Sequence, residues 1–148
     1  MRIATHLSAF ALLAVGAAAA GAQEIKGADV YRAACAMCHQ AQGEGAAGLA
    51  PPLKGSYWSK LADTRTYVPG VLLAGMHGPI QTDAGQFMGV MPTQNRLSDD
   101  EIAAVSTYLF KEFNGQATAV EAAEVAKLRA KPLSVAELRA LRKQATAK

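Results

Sequence analysis

The sequence predicts a mainly helical protein, and three observations support this. Apolar side chains recur at helical spacing in several segments, as in the stretch from Gly27 to Ala34. A Ser or Thr at positions 98, 118 and 134 is in each case followed three residues later by Glu, the capping-box pattern of a helix start. No alternating strand pattern surrounds the only two cysteines of the chain.

Residues 1–22 have the pattern of a secretory signal peptide. Arg2 supplies a positive charge, residues 7–20 form an apolar run, and Ala20-Gly21-Ala22 matches the small-residue cleavage site. We expect cleavage after Ala22, so that the mature chain begins at Gln23. The apolar run is short for a transmembrane helix, and we expect no stable membrane insertion. Retention of the segment as a membrane anchor is the alternative.

The pentapeptide Cys35-Ala36-Met37-Cys38-His39 follows the first predicted helix. C-x-x-C-H is the attachment signature of c-type haem, in which both thiols form thioethers with the haem and the histidine binds the iron. Haem c is attached outside the cytoplasm, which agrees with the export signal. We therefore expect one covalent haem c, held by Cys35, Cys38 and His39, in a protein of the bacterial periplasm.

Three other interpretations of the cysteine pair are weaker. A thioredoxin-like redox pair needs a βαβ setting, which the surrounding sequence does not predict. A closed zinc site needs four ligands, and after signal removal the chain offers only His77 besides the motif residues. A disulfide across two residues closes a very short loop and constrains the unfolded chain little.

The segment after the motif predicts a close-fitting loop. Residues 40–48 are rich in glycine and form a loop, with Ala50-Pro51-Pro52-Leu53 as an extended turn behind it. A metal-bound histidine usually donates its second ring N–H to an oxygen. The Pro51 carbonyl is the candidate acceptor for His39, and Leu53 is expected to pack on the haem.

Tyr57 and Trp58 are predicted to pack in the core, with a polar contact to a haem propionate as the alternative. A helix is predicted over residues 66–76, with Thr66 as N-cap and Pro69 in its first turn. Residues 78–85 carry many turn formers, and either a short hairpin or a loop fits them.

Met91 is the predicted sixth ligand of the iron. A thioether opposite histidine raises the reduction potential and suits electron transfer. Pro92 stiffens the backbone beside Met91, which favours it over Met88. Met76 and His77 are the other candidates.

The segment opened by Ser98 continues with Ile102, Val105, Tyr108 and Leu109 on one face and ends at Asn114-Gly115. In chain order, the parts are Gly27 and Tyr31, the C-x-x-C-H motif, Pro51-Pro52-Leu53, Met91-Pro92 and this last helix. This order resembles that of a class I monohaem cytochrome c over about residues 26–113. The resemblance implies an all-α fold of three main helices around one haem, with the first and last helices crossed near Gly27. It also implies His39 and Met91 as axial ligands. The four-helix-bundle cytochromes carry C-x-x-C-H near the C-terminus, unlike this chain.

The chain thus divides into a signal peptide (1–22), a haem domain (23–113) and a C-terminal extension (114–148). In the extension, the sequence predicts helices over residues 118–130 and 134–144, separated at Pro132. It carries seven basic and three acidic side chains, against seven basic and nine acidic in residues 23–113. Its apolar stripes are narrow, so it is either a lightly packed, solvated extension or a docking element for a partner. It lacks the interleaved aromatic residues of a nucleic-acid surface, and no nucleic-acid partner is expected.

These observations favour a periplasmic one-electron carrier rather than an enzyme. The resemblance implies redox partners: a periplasmic dehydrogenase as donor, and an oxidase or another cytochrome as acceptor. One alternative is a tightly bound cytochrome subunit of a dehydrogenase complex. A gas-binding or catalytic haem protein would need an open iron position and distal acid–base groups, for which the sequence offers only His77.

Overall fold

The computed structural model describes residues 24–83 and 85–147, so the predicted signal peptide and Gln23 lie outside the described residues. The helices of that part are α1 (Gly27–Ala34), α2 (Ala36–His39), α3 (Trp58–Asp63), α4 (Tyr67–Ala74), α5 (Asp99–Tyr108), α6 (Ala122–Ala130) and α7 (Val135–Thr146). The strands described there are β1 (Met76–His77), β2 (Ile80–Thr82), β3 (Gly85–Phe87) and β4 (Val90–Met91), and they form two antiparallel pairs. The predicted all-α fold is confirmed. Between residues 24 and 147, position 84 apart, no helix is long and apolar enough to cross a bilayer.

Helices α1 and α5 cross at Gly27, as predicted. A Cβ atom at Gly27 would lie 2.7 Å from the Cβ of Tyr108 and would also collide with the Ala104 carbonyl oxygen. Tyr31 packs one turn further on, with its ring centroid 5.7 Å from that of Tyr108 and 5.0 Å from that of Phe113. Glycine therefore permits the close approach, and the aromatic side chains fill the space beside it.

Helix α5 begins with the predicted capping box. The Ser98 hydroxyl accepts from the Glu101 N–H, and the Glu101 carboxylate accepts from the Ser98 N–H. The helix continues as a π-helical segment over Leu109–Phe113 and ends at Asn114. The Asn114 amide donates to the carbonyl oxygens of Leu53 and Leu109, each at 2.9 Å. This end of α5 is thereby tied to the loop that follows the cysteine motif.

Helix α4 is shorter than the predicted 66–76. Thr66 occupies the N-cap position, but its side chain makes no capping hydrogen bond. The helix stops at Gly75, where φ is 76°, because Met76 turns away to pair as β1 with β4. Strands β2 (Ile80–Thr82) and β3 (Gly85–Phe87) pair antiparallel, so the hairpin alternative is correct.

The two predicted helices of the extension are present, with one corrected start. Thr118 does not open a helix: α6 begins at Ala122, and its capping box is formed by Glu121 and Glu124. The Ser134–Glu137 box at the start of α7 is confirmed. Thr118 and Val120 instead hold an extended segment against the domain, since the Thr107 hydroxyl accepts from the Val120 N–H at 2.9 Å.

The expectation of a lightly packed extension is wrong. Val125 and Leu138 are fully buried and belong to the same apolar core as α4 and α5. Leu138 sits so closely on Gly70 that a Cβ there would lie 2.7 Å from its Cδ2. Arg129 adds hydrogen bonds to Asp99 and to two backbone carbonyls before α5. The apolar stripes of the extension helices are narrow, but their large residues are complementary in shape to the surface that they contact. Close packing, rather than the width of the stripe, therefore decides their burial.

Candidate haem site

An apolar cavity of about 360 Å³ lies between α2, α4 and the strands β1 and β4. This volume is within the range of small-molecule sites in proteins. Apolar residues supply most of its wall, among them the aliphatic Ala34, Leu53, Val68, Val71, Leu72, Ile80 and Leu109. Leu53 is therefore at the place where packing against a bound group was predicted.

Cys35, Cys38 and His39 all line this cavity. Cys35 closes α1, with its N–H bonded to the Tyr31 carbonyl at 2.9 Å, and α2 follows directly. The His39 N–H returns to the Cys35 carbonyl at 2.9 Å, so one helical turn presents the three side chains to one space. The two cysteines are not joined by a disulfide, and in the haem-free chain burial together with the neighbouring Cys38 raises the pKa of the Cys35 thiol to about 11.

The imidazole of His39 is buried and oriented by one hydrogen bond. Its Nδ1 lies 2.9 Å from the Pro51 carbonyl oxygen, the contact predicted from the sequence. Since a carbonyl can only accept, Nδ1 carries the proton and Nε2 keeps a free lone pair. Burial lowers the pKa of His39, which favours the neutral, metal-binding form.

The glycine-rich loop folds back onto the motif. The Gly45 N–H donates to the His39 carbonyl at 3.0 Å, and the Leu53 N–H donates to the Gly43 carbonyl at 2.8 Å. At Gly45 φ is 73°, and a Cβ atom there would lie 2.7 Å from the carbonyl carbon of Pro51. Glycine at this position therefore lets the backbone that carries the Pro51 acceptor lie close to His39.

The structure separates the four candidate distal ligands into two groups. Met76 and Met91 both line the cavity and face each other in the β1–β4 register. Met88 is 67% exposed, and neither it nor the exposed His77 belongs to the cavity wall. The geometry therefore brings Met91 and Met76 to the site.

One wall of the cavity is polar, and it includes a residue that the sequence analysis missed. Trp58, Tyr67 and Arg142 line the cavity there, and the buried Trp58 Nε1 has no hydrogen-bond partner within the described residues. Arg142 was counted among the charges of a solvated extension. The sequence feature that could have indicated its burial is its position four residues after Leu138 and three before Ala145, on the buried stripe of α7.

A helical fold that brings two thiols and a neutral histidine to one apolar cavity defines a c-type haem protein. The apolar walls, the free Nε2 of His39 and the unpartnered Trp58 N–H fit a haem with its carboxylates. The chain belongs to the cytochrome c family, since the family model "Cytochrome c" matches residues 25–111. It is thus an electron-transfer cytochrome of class I fold that carries haem c.

Curated relatives agree with this assignment. The chain is 40% identical over 126 residues to "Cytochrome c-552" of Thermus thermophilus, covering 80% of this chain and 95% of the relative. A second "Cytochrome c-552" of Thermus thermophilus is 41% identical over 126 residues, with 80% of this chain and 84% of the relative covered. The "Alcohol dehydrogenase (quinone), cytochrome c subunit" of Gluconobacter oxydans (strain 621H) is 33% identical over 110 residues, covering 74% of this chain but 23% of that subunit.

Proposed function

We propose that the protein is a periplasmic one-electron carrier in which Cys35 and Cys38 anchor the haem and His39 and Met91 bind its iron. The observation that carries the proposal is the His39–Pro51 hydrogen bond at the wall of a cavity that also holds both thiols and a methionine. When bound, haem supplies an iron that takes up and gives up one electron. The chain's own residues attach it, hold the ligands and keep water out.

The hydrogen bond to Pro51 prepares His39 as a metal ligand. The Pro51 carbonyl fixes the tautomer and the ring orientation, and it also raises the basicity of Nε2. The backbone of His39 is held by the Cys35 carbonyl on one side and the Gly45 N–H on the other. The protein therefore offers one fixed imidazole from α2.

Met91 is the better distal candidate because its backbone is held from three directions. It pairs with Met76 in the β1–β4 ribbon. Its carbonyl oxygen lies where a Cβ atom on Gly75 would be only 2.8 Å away. Beyond Pro92, the Gln94 N–H donates to the Leu72 carbonyl of α4 at 2.6 Å. Two protein ligands, from α2 and β4, would leave no metal position for a substrate, which suits electron transfer.

Electrons are expected to leave where apolar residues of the cavity wall reach the surface. Met37 is 87%, Leu49 58% and Val90 75% exposed, and all three line the cavity. Exposed apolar side chains around one opening are typical of a site that a partner covers. A transient redox partner docked here would come close to the bound group without entering the protein.

The proposed periplasmic location is supported by the signal pattern of residues 1–22. A dehydrogenase as donor is supported by the relative named as a cytochrome c subunit of an alcohol dehydrogenase. That same likeness favours the second candidate, a tightly bound subunit of a dehydrogenase complex. In either case the electron is proposed to pass on to the respiratory chain through an oxidase or another cytochrome.

Replacement of each methionine in turn tests the ligand assignment. Met91→Ala should abolish the weak absorption band at the red end of the ferric spectrum that is characteristic of iron–thioether bonding. Met76→Ala, at the paired position, is the matched control and should keep the band. A band that survives in Met91→Ala and disappears in Met76→Ala would reverse the assignment.

Purification of the native protein under mild conditions, with identification of its companions, tests the partner. Recovery as a free monomer that dehydrogenase-rich membranes reduce supports the mobile carrier. A stable stoichiometric complex supports the subunit.

A further inference from the structure

A cavity of about 500 Å³ opens between α7 and the β2–β3 hairpin. It is separate from the site of the cysteine motif, since neither the cysteines nor His39 line it. Its walls are residues 79–81 and Gln86 of the hairpin and one face of α7 between Ala136 and Thr146. We call this space the α7 cleft. Its volume is within the range of ligand sites in proteins.

The helix side of the α7 cleft follows from the spacing of residues along α7. Ala136 and Arg139 lie three residues apart, and Ala140 and Lys143 repeat this pair four residues later, so all four share one face of the helix. All four are exposed. The alanines are too short to reach the hairpin, which leaves the space open, and the two long basic side chains stand beside it. This face is therefore hollow and carries two positive charges.

The hairpin side supplies neutral polar groups and a fixed position for Arg139. Gln81 and Gln86 are partners in the β2–β3 register, so they lie on the same face of the hairpin. Across the cleft, the Arg139 guanidinium donates weakly to the Pro79 carbonyl at 3.4 Å. A Cβ atom on Gly78 would lie only 3.1 Å from the Arg139 Nη1, so glycine leaves room for the guanidinium. Most of the five N–H groups of Arg139 are not used by the described residues.

No carboxylate of the described residues lines the α7 cleft. The acidic residues nearest in sequence are bonded elsewhere: Asp83 accepts from the loop before α3, and Glu137 accepts from the N-cap of its own helix. The ion pairs in the described part of the chain include neither Arg139 nor Lys143. Cations of one sign along a concave surface focus an attractive field for anions. The α7 cleft is therefore a site for a negatively charged ligand.

The α7 cleft suits an acidic peptide segment better than other anions. An inorganic phosphate would fill only a small part of about 500 Å³. Carboxylates form charge-assisted hydrogen bonds with Arg139 and Lys143, and the Gln86 amide can pair with a peptide backbone. Surfaces that bind membranes combine basic side chains with exposed apolar ones. None of the exposed large apolar residues of the described chain lines the cleft, which disfavours a lipid surface.

We propose that the α7 cleft is the docking site for an acidic segment of a redox partner protein, whose carboxylates are bound by Arg139 and Lys143. Ile80 and Arg142 line both the cleft and the haem cavity, so the two spaces share part of one wall. A partner that inserts an acidic segment here is held beside the haem cavity. The inference rests on the proposed function, because it takes the partner to be a redox protein.

The α7 cleft and the apolar opening of the haem cavity then have different tasks. None of the exposed residues of that opening, Met37, Leu49 and Val90, lines the cleft, so a segment bound in the cleft leaves them uncovered. Charge complementarity acts mainly on the association rate and on the choice of partner. Exposed ion pairs are individually weak, so the contact is reversible. The extension therefore selects the partner, and the apolar opening remains the place of electron transfer.

The test titrates the reduced, haem-loaded protein with a hexaglutamate peptide and follows the amide NMR signals. At about 10 mM salt, where the screening length is about 30 Å, saturable shifts should appear in β2, β3 and α7. The double variant Arg139→Gln/Lys143→Gln should bind the peptide roughly ten-fold more weakly. The matched control, Lys127→Gln/Lys131→Gln, removes the same charge from exposed positions of the extension that do not line the cleft. It should weaken binding by no more than about two-fold.

Four results would overturn the proposal. Equal weakening in the two double variants, or shifts spread evenly over α6 and α7, would show a response to net charge alone. Hexaglutamine, the uncharged matched peptide, should cause no shifts, and equal binding of it would exclude recognition of carboxylates. Inorganic phosphate that displaces the peptide as effectively as hexaglutamate itself would show a site for small anions. Vesicles of phosphatidylglycerol and phosphatidylcholine that bind the wild type but not Arg139→Gln/Lys143→Gln would show a lipid-binding surface.

The proposed function and this inference fail in different ways. Absence of covalent haem or of thioether bonding in the wild type contradicts the former, whatever the peptide does. Normal haem spectra without localised peptide binding contradict only the latter.

Discussion

The two walls of the haem cavity hold their candidate ligands by different means. On the proximal side, the His39 ring itself is restrained, because Nδ1 donates to Pro51, and the loop of residues 40–53 is bonded back onto the motif. On the distal side, the restraints act on the backbone around Met91: a strand of two residues and one hydrogen bond from Gln94 to α4. The proximal ligand is thus oriented by the protein, whereas the distal thioether is only brought to the right place. The distal bond should be the easier one to lose.

The largest expected effect comes from the proximal wall. Replacing both Cys35 and Cys38 with Ala should remove covalent attachment, because these are the two cysteines of the chain. Extraction of the denatured protein with acidified organic solvent checks this. Haem should stay with the wild-type polypeptide and leave with the solvent in the double variant. Extraction of haem from the wild type would show that the thiols are not its anchors.

Two glycine substitutions compare the walls directly. Gly45→Ala places a Cβ against the Pro51 backbone, and Gly75→Ala places one 2.8 Å from the Met91 carbonyl oxygen. Each should lower the free energy of unfolding by roughly 1–3 kcal/mol beyond the cost of a positive φ. Gly75→Ala should weaken the iron–thioether absorption band. Gly45→Ala should leave that band unchanged and instead disturb the orientation of His39.

Gly48→Ala is the matched control for both substitutions. Its φ is 74°, close to those of Gly45 and Gly75, but a Cβ atom there meets nothing within 4 Å. It should therefore show only the conformational cost of about 1 kcal/mol in denaturant unfolding. Equal losses of stability in all three variants would mean that the close contacts do not matter.

The smallest expected effect is a difference between the two walls in how the free energy of unfolding depends on pH. Burial lowers the pKa of His39 from its ordinary value of 6.5. In the haem-free chain, where no iron occupies Nε2, the unfolded state therefore binds the proton more readily than the folded one, and stability should fall as pH falls below about 6.5. The slope should approach, without exceeding, about 1.4 kcal/mol per pH unit for this group.

Guanidinium unfolding of the haem-free Cys35→Ala/Cys38→Ala protein between pH 7.5 and 5.5 measures that slope. A thioether does not titrate, so adding Met91→Ala should leave the dependence on pH unchanged. A stability that is flat over this range in the haem-free protein would contradict the assignment of the titration to His39.

The proximal side could be predicted because its determinants are local in sequence. The motif occupies five consecutive residues, and the Pro51 acceptor follows twelve positions after His39. Helix starts at Ser98 and Ser134 were likewise readable from four residues each. At Thr118 the same pattern misled, because Glu121 and Glu124 form a competing box three residues further on.

The packing of the extension could not be predicted, because its determinants are distant in sequence. Leu138 is buried by its fit to Gly70, and Arg142 is buried by Tyr57 and Tyr67. Periodicity reports which residues share a helix face but not what surface that face will meet. The proximity of Met76 to Met91 could not be predicted for a related reason, since the strand pairing that brings both to one place joins residues fifteen positions apart.

The contacts of α7 also have a consequence for the order of folding. Arg142 bonds Tyr57, Tyr67 and Gln81, which lie before α3, in α4 and in β2, so its binding place exists only after these elements have come together. The crossing of α1 and α5 needs only two helices, although Tyr31 and Phe113 are equally distant in sequence. We therefore expect α7 to dock after α1 and α5 have met, which leaves the cysteine motif accessible to the attachment machinery while the cavity is still open on that side. Pulse-labelling hydrogen exchange during refolding should show the amides of α7 protected last, and simultaneous protection of α5 and α7 would contradict this order.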